Sequence, residues 1–287
     1  LHLLGLKMFR YTVMTGISHY SFPWIMGFCT LDAHFYHRYK RAYELGETAM
    51  ELLTEERNMV AYCDSSQRFV NLVLPWRRPL RETVALNQKG LNAGMSYGDF
   101  DYACLTLLHM QLNNYHMGKN LEECRNHVAD ALEKVGKINN KMVMEILFCL
   151  AGVIDDMYFD PGEKLSDSAS NEIDDKIKMI IEHEKNMVAL FHYYIGIMHN
   201  RYVCGNYREA LSAGIELIRF SSIIVGAFHH ADGVFYHALA LIALLNTFDE
   251  SEKARRMDEI RADLERLTTW ASNCPDNFLH RKLLVEA

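Results

Sequence analysis

The chain has 287 residues, 49% hydrophobic and 23% charged, enough apolar material for a buried core in one elongated or two compact domains. Thirty Lys and Arg stand against 37 Asp and Glu, a net charge of −7, and no basic run of the kind that grips a phosphate backbone occurs, which argues against a nucleic-acid partner. No uninterrupted apolar stretch reaches the ~18 residues of a spanning helix, so no membrane insertion is expected.

In chain order, the apolar period is helical almost throughout. The chain opens on "LHLLGLKMFR", already inside a helix-like pattern, with no charged region, apolar run and cleavage site of a leader. From "LDAHFYHRYKRAYELGETAMELL" to "EKARRMDEIRADLERLTTWA" roughly a dozen amphipathic segments follow, and no pair of alternating runs flanks a tight turn, so strands are not required. With five prolines in the whole chain, the breaks fall at Gly98-Asp99, Gly118-Lys119-Asn120, Gly136 to Asn140, Gly205-Asn206 and Asn246 to Glu250. Short connections imply antiparallel neighbours. The longer gap, "FDPGEKLSDSASNEIDD" (159–175), reads as an exposed loop and hinge. The expected organisation is a helical half over 1–158, the hinge over 159–175, a second helical half over 176–274, and a connector helix over 275–287.

Internal similarity accompanies these helices. "GDFDYA" (98–103) and "GNYREAL" (205–211) both place a glycine, a polar residue, an aromatic and then an alanine three residues on. The spacing predicts glycine caps at Gly98 and Gly205, aromatics such as Tyr207 between paired helices, and close helix crossings at Ala103 and Ala210. "YELGETAMELL" (43–53), with Gly46 and Ala49, is a third, degenerate copy. Three such copies point to an all-α array of tetratricopeptide-like antiparallel hairpins stacked into a superhelix.

At the C-terminal end, "WASNCPDNFLHRKLLVEA" (270–287) predicts a helix, a break at Cys274-Pro275 and a second short helix. Asp276 or Asn277 is the expected cap. Phe278, Leu279, Leu283, Leu284 and Val285 trace an apolar stripe without a stop signal. Both ends of the chain read as cut from something longer.

Residues able to do chemistry are present without a constellation. "DDMYFD" offers Asp155, Asp156 and Asp160, the carboxylate chemistry by which terpenoid synthases hold Mg²⁺, but no second cluster follows and a solvated helix end is the expectation. His229, His230 and His237, and His192 and His199, share helical spacing without a completing carboxylate or thiol, and HExxH is absent, which predicts partly buried structural histidines. GxxxxGK[ST], GxSxG and a strand-borne GxGxxG are missing. The seven cysteines (Cys29, Cys63, Cys104, Cys124, Cys149, Cys204 and Cys274) form no CxxC pair, and predict buried thiols in a reducing cytoplasm. No catalytic residue, metal or cofactor is expected.

"GLNAGMSYGDFDYACLTLLHM" and "WASNCPDNFLHRKLLVEA" resemble the helical-repeat region of very large signalling proteins. "LPWRRPLRETVALNQKGLNAG" resembles that family's Trp-x-x-Pro-Leu helix start, at Trp76, Pro79 and Leu80. In that family a serine/threonine-kinase-like domain and an AAA-type ATPase domain precede the region, and a GAF sensor and often a histidine kinase follow it. The resemblance implies a non-catalytic scaffold and regulatory segment of a multidomain kinase, cytoplasmic, with protein partners. On this reading Trp270, Pro275, Asn277 and Phe278 form the exit joint. A free-standing peptide-binding adaptor and a Mg²⁺-dependent terpenoid-type synthase are the alternative expectations.

Overall fold

In a computed structural model of the chain, residues 2–53, 56–159, 168–183, 186–220 and 226–287 are described. The helical period carries through: among them all regular structure is helical, and no strand occurs. No helix among the described residues is long and apolar enough to cross a membrane. The chain divides into two compact units, Leu1–Met110 with Val225–Phe228, and Gln111–Ile224 with His229–Ala287. The division thus falls away from the 159–175 segment. Of that segment, 160–167 lie outside the described residues, while Ser168 onward is helix rather than loop.

The first unit contains α1 (His2–Thr15), α2 (Ser21–Tyr36), α3 (Tyr39–Leu52), α4 (Tyr62–Arg68), α5 (Thr83–Tyr97) and the start of α6 (Phe100–His116). Helix α2 packs on α1 and α3, and α4 on α5. Between α4 and α5 the chain passes through a π turn, Phe69–Val73, and 3₁₀ turns at Leu74–Trp76 and Leu80–Glu82. This irregular stretch is pinned by specific bonds. Asn71 and Asn87 exchange reciprocal amide hydrogen bonds at 3.0 Å, and buried Trp76 donates its indole N–H to the Gly226 carbonyl at 3.0 Å. Gly98 ends α5 at φ 80°, and the Asp99 amide closes back on the Gly94 carbonyl at 2.9 Å. A Cβ at Gly94 would meet the Ala103 methyl at 3.0 Å, so Ala103 does mark a close approach.

The second unit contains the end of α6, α7 (Leu121–Ile138), α8 (Lys141–Tyr158), α9 (Ser168–His183), α10 (Met187–Val203), α11 (Tyr207–Phe220), α12 (His230–Leu244), α13 (Glu250–Asn273) and α14 (Pro275–Glu286). The helix starts are explained by their caps. Side-chain oxygens of Asn120, Asn140, Asn186 and Asp249 accept from amides two or three residues on, satisfying donors that each first turn leaves open. Gly205 ends the α10 segment at φ 79°, with the Asn206 amide bonded to the Arg201 carbonyl at 2.8 Å, a left-handed cap that an L side chain would strain. From α7 onward each helix packs on its sequence neighbour, and α8, α10, α12 and α14 also pack in series, α8 on α10, α10 on α12 and α12 on α14.

Small residues set the spacing of that series. A Cβ at Gly196 on α10 would sit 2.5 Å from both methyls of buried Val153 on α8, and one at Gly233 on α12 would sit 2.8 Å from Leu217 on α11. Ala210 is fully buried. Of the aromatics at the repeat positions, Phe100 and Tyr207 are exposed, and Tyr207 lies beside Tyr202 of the paired helix α10 at 5.3 Å. Gly196→Ala and Ala210→Leu should each destabilise the fold by about 1–3 kcal/mol through overpacking. Gly136→Ala, on a helix with its nearest neighbour 4.0 Å away, should be neutral or stabilise by up to ~1 kcal/mol. Urea unfolding of the three variants measures the contrast.

Candidate functional site

The most heavily charged interior of the second unit lies at the start of α12. "HHADGVFYHALAL" is almost wholly apolar on its buried face, yet Asp232 sits on that face, 4% exposed. Burying a lone carboxylate costs several kcal/mol unless cations and donors meet it. Two do so here. The Arg281 guanidinium of α14 pairs with one carboxylate oxygen, and His116 Nδ1 of α6 meets the other. Burial alone would push the Asp232 carboxyl up; Arg281 and His116 outweigh it and hold the group below its ordinary value.

Around this pair the aromatic and amide side chains form a continuous layer. His116 stacks on His229 at 4.4 Å, His229 Nε2 lies 3.2 Å from Asn113 Oδ1, and His192 meets the His229 ring edge-on at 5.2 Å. Tyr115 donates its hydroxyl proton to Asn200 Oδ1 at 3.0 Å, so His199 Nδ1, 2.9 Å away, is the donor to the phenol oxygen. Asn200 in turn donates to the Val153 carbonyl at 2.8 Å. The hydrogen-bonded geometry calls for a proton on Nδ1, and burial drops the His199 pKa to about 4, favouring the neutral imidazole.

Arg281 belongs to the segment expected to be an exit joint. The break is there: α13 ends at Asn273, Cys274 is extended, and Pro275 opens α14 as its first residue, where a missing amide costs nothing. No side chain caps α14, so neither Asp276 nor Asn277 plays the predicted part. Phe278 is fully buried against Trp270, with ring centroids 5.9 Å apart, and Asn277 is buried with it. Arg281 and Val285 complete the docked face at helical spacing, while Leu279, Leu283 and Leu284 are 43%, 51% and 59% exposed.

No family model matches the chain, and no curated protein matches it significantly.

The other residues that the sequence singles out resolve as structural contacts. Asp155 is buried and accepts from Arg125 Nε at 2.9 Å, and Asp156 pairs with Arg201 at 3.2 Å, so neither is a solvated helix end. Asp160 lies outside the described residues. His237 Nδ1 lies 2.7 Å from Asp263, and His230 packs against Trp270 with its pKa lowered to about 4 by burial and by Arg266. Among the described residues no three His, Cys, Asp or Glu side chains converge as metal ligands. Six cysteines are buried and Cys204 is exposed. A groove of about 440 Å³ runs along α11, α12 and α13, with exposed Ile215 and Ile218 on one side and Arg256 and Arg266 on the other. Arg281, Asp232 and His116 escape motif reading because they come from distant segments. Their one signal is a charge on an otherwise apolar helix face, at Asp232 within its run and at Arg281 between Phe278 and Val285.

Two largely buried histidines, His199 and His230, with pKa values near 4 against an ordinary 6.5, make the fold acid-sensitive. Between these values the unfolded chain binds protons that the folded chain refuses, so stability is full above pH 6.5 and falls as pH drops toward 4. Each histidine should contribute a slope of up to about 1.4 kcal/mol per pH unit. His199→Gln should remove its share of the slope measured by urea unfolding between pH 7 and 4.

Proposed function

We propose that this chain is a non-catalytic helical-repeat scaffold, an array of tetratricopeptide-like hairpins that serves as the connecting and regulatory segment of a multidomain signalling kinase. The packing supports an array: α8, α10, α12 and α14 touch in series while α9, α11 and α13 fill between them, the nearest-neighbour pattern of stacked repeats. The observation that carries the proposal is the two-faced α14. One face is fixed by Phe278, Arg281 and Val285, and the other offers Leu279, Leu283 and Leu284, suited to a further protein surface of the same polypeptide. Two of the three carboxylates that suggest a Mg²⁺ cluster, Asp155 and Asp156, are instead engaged by Arg125 and Arg201, which favours the scaffold over a synthase.

A second reading, a free-standing peptide-binding adaptor, is favoured by the groove along α11–α13, whose apolar rim and mixed charges, Arg256 and Arg266 beside Glu259 and Asp263, would suit a peptide with an apolar face. The two readings place the partner on different surfaces. Thiol labelling of Leu283→Cys, compared between this chain and a polypeptide extended by the next domain that the scaffold reading implies, separates them. The scaffold reading expects labelling to slow by at least about tenfold in the longer protein. Equal rates, with protection at Ile218→Cys by an amphipathic peptide, would establish the adaptor instead.

A further inference from the structure

The first unit contains a cavity that none of these readings uses. It measures about 710 Å³, within the size range of small-molecule sites, and is lined by Tyr20, Pro23, Trp24 and Gly27 from the start of α2, by Asp64 and Arg68 from α4, and by Asp99 and Tyr102 at the start of α6. Gly27 is the telling wall residue. It sits in the middle of a helix, where glycine costs about 1 kcal/mol relative to alanine, yet a Cβ there would meet nothing within 4 Å. The helix surface at Gly27 therefore faces open space, in contrast to Gly196 and Gly233, which are filled by neighbouring side chains.

The polar floor determines what could occupy it. Arg68 is already committed: its Nε pairs with Asp64, its other arm meets the Tyr102 hydroxyl, and its guanidinium lies 5.2 Å over the Tyr102 ring. Asp99, which the Tyr102 and Asp64 amides meet but no cation among the described residues does, shares this floor with Asp64. Burial raises the pKa of both, and the Asp64 charge raises Asp99 further, so a cation placed there would relieve both. An anion would face two carboxylates, beside a guanidinium whose Nε and one Nη already serve Asp64 and the Tyr102 hydroxyl. Above the floor, Trp24 and Tyr20 line the cavity with aromatic rings, the groups that attract ammonium ions.

We infer that this cavity is a binding site for a small organic ammonium ion, its charged end toward Asp99 and its apolar body between Trp24 and Tyr20. The inference is independent of the scaffold reading, since it rests on the first unit alone and would survive the failure of the kinase proposal.

Calorimetric titration of the full chain with phenethylammonium, 2-phenylethanol and phenylacetate, probes of one shape and three charges, tests it. Phenethylammonium should bind at least about tenfold more tightly than either of the others. Asp99→Asn, which retains a capping side chain, should weaken the cation alone by about tenfold. Gly27→Leu should fill the cavity and abolish binding while leaving the circular dichroism spectrum intact. No detectable binding of phenethylammonium at ~10 mM, equal binding of phenylacetate or 2-phenylethanol, or binding indifferent to Gly27→Leu in folded protein would each overturn the inference.

Discussion

The arrangement of the second unit depends on one buried charge. Asp232 occupies a position where the surrounding helix faces are apolar, and its ionised form is tolerable only because Arg281 and His116 reach it from two other helices. An apolar residue there would leave α14 held by Phe278 and Val285 alone, contacts that many orientations of a short helix satisfy. The ion pair selects one of them. It fixes which face of α14 is buried, and so which leucines remain outside.

Close approach of the helices makes that pair reachable. Gly196 brings α10 against Val153 of α8, and Gly233 brings α12 against Leu217 of α11, so the start of α12 is held deep in the unit rather than at its surface. The polar layer built on α10 and α6 then satisfies the Tyr115 hydroxyl, the Asn200 side chain and the Val153 carbonyl within that burial. Glycine spacing, hydrogen-bond satisfaction and the placement of α14 are thus linked, and loosening one exposes the others. The acid sensitivity of the histidines follows from the same burial.

Much of the fold was legible as sequence because helix punctuation is local. Gly98 and Gly205 are left-handed caps as their spacing implies, and Pro275 breaks the chain where it stands because its ring and missing amide act on adjacent residues. What depends on long-range packing was less legible. Tyr207 and Phe100 match a repeat signature yet lie exposed, since a one-residue pattern does not say which face a neighbour will cover. The stretch 159–175 has a loop's composition, but Ser168 onward is helical, its Ile173 and Ile177 lying against Gly152. Asp155 reads as a solvated helix end and is instead buried on Arg125, a partner that no local pattern reveals. The cavity floor of Asp64, Arg68, Asp99 and Tyr102 is likewise assembled from segments whose individual sequences carry no motif.

The Asp232–Arg281 pair, rather than apolar contact alone, holds α14 in place. A double-mutant cycle with Asp232→Asn and Arg281→Met, read by urea unfolding and by amide exchange across 275–286, tests it most directly. The pair predicts single-variant losses of about 3–5 kcal/mol, a double variant much less damaged than their sum, and lost exchange protection in α14 in each single variant. Additive losses within about 0.5 kcal/mol, with α14 protection unchanged, would contradict it.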